Sequence, residues 1–251
     1  MKTESAIAPA HHEPALIGQT VVVIGGSAGI GLETARKARA EGADVVLTGR
    51  DPGRLQAAAQ DVGAASTAAF DATDADGLER FFAASAAPID HVMVTAGGPY
   101  YAPLAEMDLA RARRHVEEHV GLVLGVARLS IGRVRAGGSL LFVGGTGGRR
   151  TGIGMSVIRT MTAALPALVA NLALEVAPIR VNLVAPGFVD TPLSATLLGD
   201  GLDERREQLR ATLPIGRVVG PGDVAALAVH LMANTALTGA TYDVDGGQQL
   251  L

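Results

Sequence analysis

A glycine-rich turn near the start of the chain constrains its fold more than any other feature. The apolar run Thr20–Ile24 leads directly into Gly25-Gly26-Ser27-Ala28-Gly29-Ile30-Gly31, and a helical pattern follows. Glycine lets the backbone turn tightly and approach a ligand closely, and the start of a helix offers unpaired N–H groups to an anion. A strand, a glycine turn and a helix in this order predict a dinucleotide-binding βαβ unit rather than a plain tight turn.

The same alternation of strand and helix continues to the end of the chain. Short Val-rich runs bounded by Gly, Asp or Pro predict strands that are buried on both faces of a parallel sheet. They lie at Thr20–Ile24, Asp44–Thr48, Thr67–Phe70, His91–Val94, Leu140–Val143, Arg180–Val184 and Thr241–Val244. Helical patterns between them include Leu32–Ala40, Leu109–Val126 and Met155–Ala177. The sequence therefore predicts a doubly wound α/β domain, a seven-stranded parallel sheet with helices on both faces.

Composition and the N-terminal segment indicate which classes of partner the protein has, independently of its fold. Residues 1–16 lack the apolar core of a signal peptide and predict a flexible tail before a domain over residues 17–251. His11 and His12 in that tail are expected to be solvated rather than metal ligands. A net charge of -4 and the absence of Cys argue against nucleic-acid binding and exclude thiol chemistry. No apolar run reaches membrane-spanning length, so we expect a cytoplasmic protein without a membrane partner.

The end of the second predicted strand indicates which dinucleotide is bound. NAD sites usually carry an acidic residue there, which holds the ribose 2′-OH. Gly49 occupies this place and Arg50 follows it. A guanidinium suits a 2′-phosphate, so the pattern predicts NADP(H), the alternative being that Arg50 only faces solvent. Asp51 and Pro52 then predict the N-cap and first residue of a helix.

These motifs resemble the short-chain dehydrogenase/reductase family from about Thr20 to the C-terminus. The spacing Gly25-x3-Gly29-x-Gly31, the segment Arg180–Gly187 and the segment Thr241–Gly247 carry the resemblance. It implies a single Rossmann-type domain, with Asp71 beside the adenine and with Val189 and Thr191 beside the nicotinamide carboxamide. The candidate cofactor-binding residues are Gly25, Gly26, Ser27, Ala28, Gly29, Ile30, Gly31, Arg50, Asp71, Ala72, Ala96, Gly97, Pro186, Gly187, Val189 and Thr191.

The sequence departs from the family at its catalytic positions. Relatives use a Tyr, a Lys four residues later, a Ser and an Asn; counting back from Leu172–Pro178 places these on Ile158, Thr162, Gly145 and His119. The lysines of the chain are Lys2 and Lys37, and its tyrosines are Tyr100, Tyr101 and Tyr242, so no Tyr-x3-Lys exists at any register. Val94 and Thr95 likewise stand where the family's Asn-Asn-Ala-Gly segment has asparagines. The usual mechanism, in which the Lys tunes the Tyr pKa, is not supported.

Three side chains are candidates to replace the missing acid. Tyr100 and Tyr101 follow the fourth strand, at the edge of the sheet where ligands bind, although either ring could merely line the pocket. His119 is a candidate proton donor near neutral pH, or a helix histidine without a catalytic role. Arg149 and Arg150, in the Gly-rich loop Gly144–Gly154, could bind an anionic substrate or remain solvated.

Two functions remain open from the sequence. One is an NADP(H)-dependent oxidoreductase that transfers hydride to a C=N or an activated C=C bond, less readily to C=O, of a small, partly apolar substrate. The alternative is a non-catalytic NADP(H)-binding or sensor protein that acts through a partner. The segment 192–213 resembles the family's substrate lid. Its inner face is expected to be apolar and to consist of Leu193, Leu197, Leu198, Leu202 and Leu209.

The resemblance also implies an oligomer. In relatives the helices that match Leu109–Val126 and Met155–Ala177 pack across a dimer axis, and the last strand contributes to a tetramer. We expect the apolar residues of the second helix to form that interface, and the assembly to be a homotetramer or else a homodimer. These residues are Leu165, Leu168, Val169, Leu172 and Val176.

Overall fold

Seven parallel strands form a single sheet in a computed structural model, which describes residues 13–85, 88–149 and 151–251. The order across the sheet is β3-β2-β1-β4-β5-β6-β7, and every neighbouring pair is parallel. The strands are β1 Thr20–Ile24, β2 Asp44–Gly49, β3 Ser66–Ala69, β4 Ile89–Val94, β5 Val134–Val143, β6 Arg180–Pro186 and β7 Thr241–Val244. The order reverses between β1 and β4, which is where open α/β sheets bind ligands.

Eight α-helices connect the strands. They are α1 Gly29–Ala40, α2 Pro52–Val62, α3 Ala75–Ala84, α4 Leu109–Ser130, α5 Ser156–Glu175, α6 Pro192–Leu198, α7 Leu202–Thr212 and α8 Pro221–Ala233 among the described residues. The predicted cap of α2 is confirmed, because Asp51 Oδ1 accepts a hydrogen bond of 2.9 Å from the Arg54 backbone N–H. The segment 192–213, predicted as a lid, forms α6, a short 3-10 turn and α7.

Two apolar cores cover the two faces of the sheet, which confirms the predicted architecture. One core contains Leu78 of α3, Val126 of α4 and Val169 of α5, packed on strands β4 to β6. The other contains Ala35 of α1, together with buried residues of α2 and α8. With both faces buried, the strands read as near-continuous apolar runs, which is why the sequence revealed them.

The chain is ordered slightly before the predicted start of the domain. Leu16, assigned to the tail, is fully buried in the second core, and its backbone N–H donates to the Glu41 carbonyl at 2.9 Å. The core therefore begins before residue 17. His11 and His12 lie outside the described residues.

Helix α5 presents a different face from the one that the sequence indicated. Leu165, Val169, Leu172 and Val176, expected at an interface between subunits, are buried in the first core of their own subunit. That expectation was wrong because apolar periodicity shows which face is buried but not against what. The outward face of α5 carries alanines, one large apolar residue and several polar residues: Thr160, Ala163, Ala164, Ala167, Ala170, Asn171, Leu174 and Glu175.

By length and mean hydropathy, 1.6 over its most apolar part, α5 could also cross a membrane. Its buried residues instead pack on the sheet as one layer of the domain. The core accounts for the inward face of α5 but leaves its outward residues uncovered.

Candidate cofactor site and active site

The glycine turn between β1 and α1 is packed too closely for side chains. Gly25 has a φ of +95°, and a Cβ on it would stand 2.7 Å from the Ala96 backbone nitrogen. A Cβ on Gly31 would collide with the Gly25 carbonyl oxygen, and one on Gly26 would lie 2.7 Å from Leu47 Cδ2. Gly29 has a φ of +54°, in the left-handed region that favours glycine. The turn is thus held against β2 and the end of β4, with its backbone open toward the switch point of the sheet.

Helix α1 begins without a protein partner at its N-terminus. No side chain in the described part of the chain caps it at Ala28, and no acidic residue lies in its first turn, Gly29 to Gly31 with Ile30 between them. The free N–H groups and the positive end of the helix dipole suit a phosphate group. Ser27 lies beside this end, and its Oγ is 3.1 Å from the position that a Cβ on Gly49 would take. This geometry fits a pyrophosphate.

Thr95 holds the glycine turn in place, a role that the sequence did not reveal. Its hydroxyl donates to the carbonyls of Gly25 at 3.0 Å and Ile24 at 3.3 Å, and its backbone N–H donates to Ile24 at 2.8 Å. The sequence marked Thr95 only as a departure from the family's asparagine. A hydroxyl directly after β4, next to β1, was the signal for this role.

The ends of β2 and β3 bring Arg50 and Asp71, two residues expected at the adenosine end of a cofactor, close to each other. The Arg50 side chain is 77% exposed, and its Nη1 lies 3.9 Å from Asp71 Oδ2. Asp71 Oδ1 accepts from the Thr73 backbone N–H at 3.0 Å and from its hydroxyl at 2.8 Å, and these bonds, more than Arg50, lower the pKa of Asp71. Ala72 is buried beside it. Arg50 is therefore only loosely paired and accessible to a ligand.

The Pro186–Thr191 segment lies across the same edge of the sheet. The Phe188 backbone N–H donates to Gln248 Oε1 at 2.8 Å, and a Cβ on Gly187 would stand 2.7 Å from Asp245 Cβ. Thr191 caps α6 through a capping box with Ser194. Thr191 also lies close to the glycine turn, since a Cβ on Gly29 would be 3.5 Å from the Thr191 side chain. The segment expected at the nicotinamide end therefore approaches the glycine turn at Gly29.

The positions that match the family's Ser and Lys are adjacent. A Cβ on Gly145 would lie 3.5 Å from Thr162 Cγ2 and 3.5 Å from the Pro186 carbonyl oxygen. The Thr162 hydroxyl donates to the Arg159 carbonyl at 3.2 Å, and Ile158, at the Tyr position, is half-buried. A cavity of about 230 Å³ adjoins them, lined by Gly145, Thr146, Gly148, Thr162, Ala163, Pro166, Leu183, Ala185, Thr241 and Asp243. Its polar groups are hydroxyls and one carboxylate.

Tyr100 and His119, two of the three candidate acids, belong to one row of side chains along α4. Arg111 Cζ lies 5.0 Å from the centroid of the Tyr100 ring, which is 6.0 Å from the His115 ring, and His115 is 5.4 Å from His119. His119 packs against Gly97, where a Cβ would be 3.3 Å from its Cε1. His115 and His119 also line a small cleft beside Gly97 and Gly98. His115 was missed, although its spacing of four from His119 was visible in the sequence.

Burial shifts the protonation of these candidates. It lowers the pKa of His119, with a smaller contribution from His115, so His119 is neutral at neutral pH. Burial raises the pKa of Tyr101, which is 51% exposed and lies outside the row. Tyr101 is therefore a weaker acid than free tyrosine.

The segment 192–213, expected to be a lid, buries only some of its apolar residues. Leu209 is buried and Leu202 half-buried, whereas Leu193, Leu197 and Leu198 of α6 are exposed. Arg149 ends a 3-10 turn, Thr146–Arg149, and Arg150 lies outside the described residues. Among the described residues, no group of three or more His, Asp or Glu side chains forms a metal site.

Comparisons with known proteins identify the family and the fold. A family model described as enoyl-(acyl carrier protein) reductase matches residues 25–249. The chain is 31% identical to the short-chain dehydrogenase/reductase ATR9 of Stachybotrys chlorohalonatus, over 93% of this chain and 98% of that protein. It is 31% identical to an NADP-dependent (R)-specific alcohol dehydrogenase of Lentilactobacillus kefiri, over 92% and 97%. The crystal structure of a small-chain dehydrogenase in complex with NADPH superposes with a TM-score of 0.79 at 26% identity, covering 93% of this chain and 99% of that one.

Proposed function

This chain belongs to the short-chain dehydrogenase/reductase family, and from that premise we propose that it is an NADP(H)-dependent oxidoreductase without the family's Tyr-x3-Lys pair. Its substrate is a small, partly apolar molecule with a C=N or an activated C=C bond. The observation that carries the proposal is the cradle of Gly25, Gly29 and Gly31 against the uncapped start of α1.

The residues of the cleft fit NADP(H). The backbone N–H groups at the start of α1 suit the pyrophosphate, because they have no partner of their own and lie where no Cβ can intrude. Arg50 is exposed and loosely paired, which leaves its guanidinium available to a 2′-phosphate, and the Ser27 hydroxyl lies near Gly49, the residue before Arg50. The NADP-dependent relative and the NADPH-bound neighbour support the same choice. Val189 and Thr191 would hold the nicotinamide end. When bound, the reduced cofactor supplies a hydride.

The substrate class follows from what the active site lacks. A ketone accepts a hydride well only if an acid protonates its oxygen, and general acid catalysis contributes about 10²–10⁴ in rate. Gly145 and Thr162 stand where the family has its Ser and Lys, and Thr hydroxyls are very weak acids. A C=N⁺ group already carries its charge, and an activated alkene can take its proton from water. Reduction of these two substrate classes is therefore compatible with the residues that are present.

His119 is the proton donor that the geometry favours among the three candidates. It is half-buried against Gly97, at the edge of the cleft, whereas Tyr100 is buried under Arg111 and Tyr101 has a raised pKa. Because the pKa of His119 is lowered, its protonated form is a stronger acid but is scarce at neutral pH. Activity that depends on His119 should therefore rise as the pH falls toward and below its ordinary pKa.

A substrate panel tests the proposal. Ketones, cyclic imines, iminium ions and enones are offered with NADPH, whose absorbance is followed, to the wild type and to the Tyr100→Phe, Tyr101→Phe and His119→Ala variants. We expect turnover of imines or enones, negligible ketone reduction, and the largest loss in His119→Ala. Strong ketone turnover would contradict the proposed chemistry.

The same panel distinguishes the alternative, a non-catalytic NADP(H)-binding protein. Tight NADPH binding without turnover of any class would favour that function. The relatives named as a dehydrogenase/reductase and as an alcohol dehydrogenase favour an enzyme over this alternative.

A further inference from the structure

A charged pair joins the lid to the segment proposed to hold the nicotinamide. Arg206 of α7 donates from Nε to Asp190 Oδ2 at 2.9 Å and from Nη2 to Asp190 Oδ1 at 2.7 Å. Its third nitrogen, Nη1, donates to Asp203 Oδ1 at 2.8 Å, one turn earlier on the same helix. Asp190 and Arg206 are 16 residues apart, so the pair closes the loop that contains α6.

The geometry of this pair exceeds that of an ordinary surface ion pair. A single exposed ion pair contributes little, because both side chains must be ordered and solvent screens the charges. Here the contact is bidentate, and the two side chains are only 29% and 32% exposed. The adjacent Arg205 adds a second contact, with its Cζ 5.9 Å from the centroid of the Phe188 ring.

Asp190 is also fixed on its other side. Its backbone N–H donates to the Val219 carbonyl at 3.0 Å, and Val189 pairs with Val219 as an isolated β-bridge. Asp190 lies between Val189 and Thr191, the two residues proposed for the carboxamide. The position of the Asp190 carboxylate therefore affects Val189 and Thr191, its neighbours at the proposed nicotinamide end of the cleft.

We propose that Arg206 is a positioning residue that fixes residues 189–191 through Asp190, so that the lid helix α7 and the nicotinamide-binding segment move as one unit. Arg206 itself touches no part of the cofactor in this proposal. Its effect is on the nicotinamide half of the cofactor, while the adenosine half, bound near Arg50 and Asp71, is independent of it. The inference rests on the proposed NADP(H) function.

The test compares two ligands that differ in the nicotinamide half. NADPH and adenosine 2′,5′-bisphosphate are titrated by calorimetry against the wild type, Arg206→Gln, Asp190→Asn and the double variant. We expect each single variant to weaken NADPH about five-fold or more and to leave the bisphosphate within about two-fold. The double variant should resemble the single ones, because the two residues act as a pair. Arg206→Lys keeps the charge but not the bidentate contact, so it should restore NADPH affinity only in part.

Arg36→Gln is the matched control. Arg36 makes a comparable contact to Asp61 between α1 and α2, 2.6 Å from Nη2 to Oδ2, and it lies in neither the lid nor the cleft. Equal losses for both ligands in Arg206→Gln, or no loss for either, would overturn the inference. A wild type that binds neither ligand would instead contradict the proposed NADP(H) function itself, so the two failures are distinguishable.

Discussion

Arg50 lies where two neighbouring strands end, and we propose that it selects the cofactor rather than stabilising the fold. Its 3.9 Å separation from Asp71 is too long for a strong ion pair, and most of its side chain is in solvent. The hydrogen bonds from Thr73 lower the pKa of Asp71 more than the Arg50 charge does. The guanidinium can therefore turn to a 2′-phosphate without leaving Asp71 unsatisfied.

Replacing Arg50 with Ala is expected to remove the preference for NADPH. A charge-assisted hydrogen bond contributes about 1.5–3 kcal/mol, so the wild type should prefer NADPH over NADH by about ten-fold or more. Fluorescence titration of both cofactors measures the ratio in each protein. Arg80→Ala, which removes an exposed arginine paired with Asp74, should leave the ratio unchanged. Equal affinities in the wild type would exclude the assigned role.

His91, at the opposite end of the sheet, is buried as a neutral side chain. Its Nε2–H donates to Gln19 Oε1 at 2.6 Å, and its Nδ1 accepts from the Ser139 hydroxyl at 2.8 Å. Burial, and then the nearby Arg180 charge, lower the pKa of His91 to about 4, against the smaller opposing effect of Asp90. Because the unfolded chain binds a proton near pH 6.5 and the folded one near pH 4, stability falls as pH falls through that window.

We therefore expect acid to destabilise the fold through His91. The lowered pKa corresponds to a loss of about 3 kcal/mol in the free energy of unfolding between pH 6.5 and pH 4. Urea unfolding at several pH values and a fixed protein concentration measures it. His91→Asn should be less stable at pH 7 but should show a flatter pH dependence. An identical slope in both proteins would refute this role.

At the scale of the elements, the sequence predicted what local chemistry determines. Asp51 and Pro52 predicted the cap of α2, and the apolar runs predicted the bounds of β1 and β7. The structure confirms these predictions. The sequence predicted that β5 begins at Leu140, whereas it begins six residues earlier, at Val134. The pairing register of β5 with β4 shifts between Ile89 and His91, opposite the glycines at 137 and 138, so the first part of β5 did not show a regular strand pattern. The Arg206–Asp190 pair depends on how the lid folds back, which no local pattern encodes.

The glycine turn gives a prediction at this same scale. Gly31→Ala places a Cβ against the Gly25 carbonyl and Thr95 Oγ1, so it should both destabilise the fold, by about 1–3 kcal/mol, and abolish NADPH binding. Gly121→Ala, in α4, meets nothing within 4 Å and should instead stabilise the fold by about 0.5–1 kcal/mol. Thermal unfolding and cofactor titration measure both effects. Gly31→Ala with unchanged affinity would contradict the proposed cradle.

At the scale of the whole molecule, the outer face of α5 is left uncovered. With its large buried residues turned inward, this face carries closely spaced alanines and Leu174, which is 80% exposed, together with the polar Asn171 and Glu175. Leu124 of the neighbouring α4 is also exposed. Small residues let a second helix approach closely, and an apolar helix face of this length is usually covered in a symmetric assembly. We therefore propose that α4 and α5 pack against a second copy of the chain.

This surface predicts a homotetramer, or a homodimer if only the α4–α5 face is used. Light scattering at micromolar concentration should give two or four times the mass of the chain. Leu174→Glu places a charge near the C-terminal end of the proposed contact and should shift the mass toward the monomer, whereas Ile17→Glu, at a residue 68% exposed near α1, should not. Because α5 carries Thr162 and contacts the Gly145–Gly148 loop, dissociation should also lower any turnover while leaving NADPH binding, which lies on the other elements, nearly intact. A monomeric wild type would refute the proposed assembly, because it would show that the outer face of α5 stays in water without a partner.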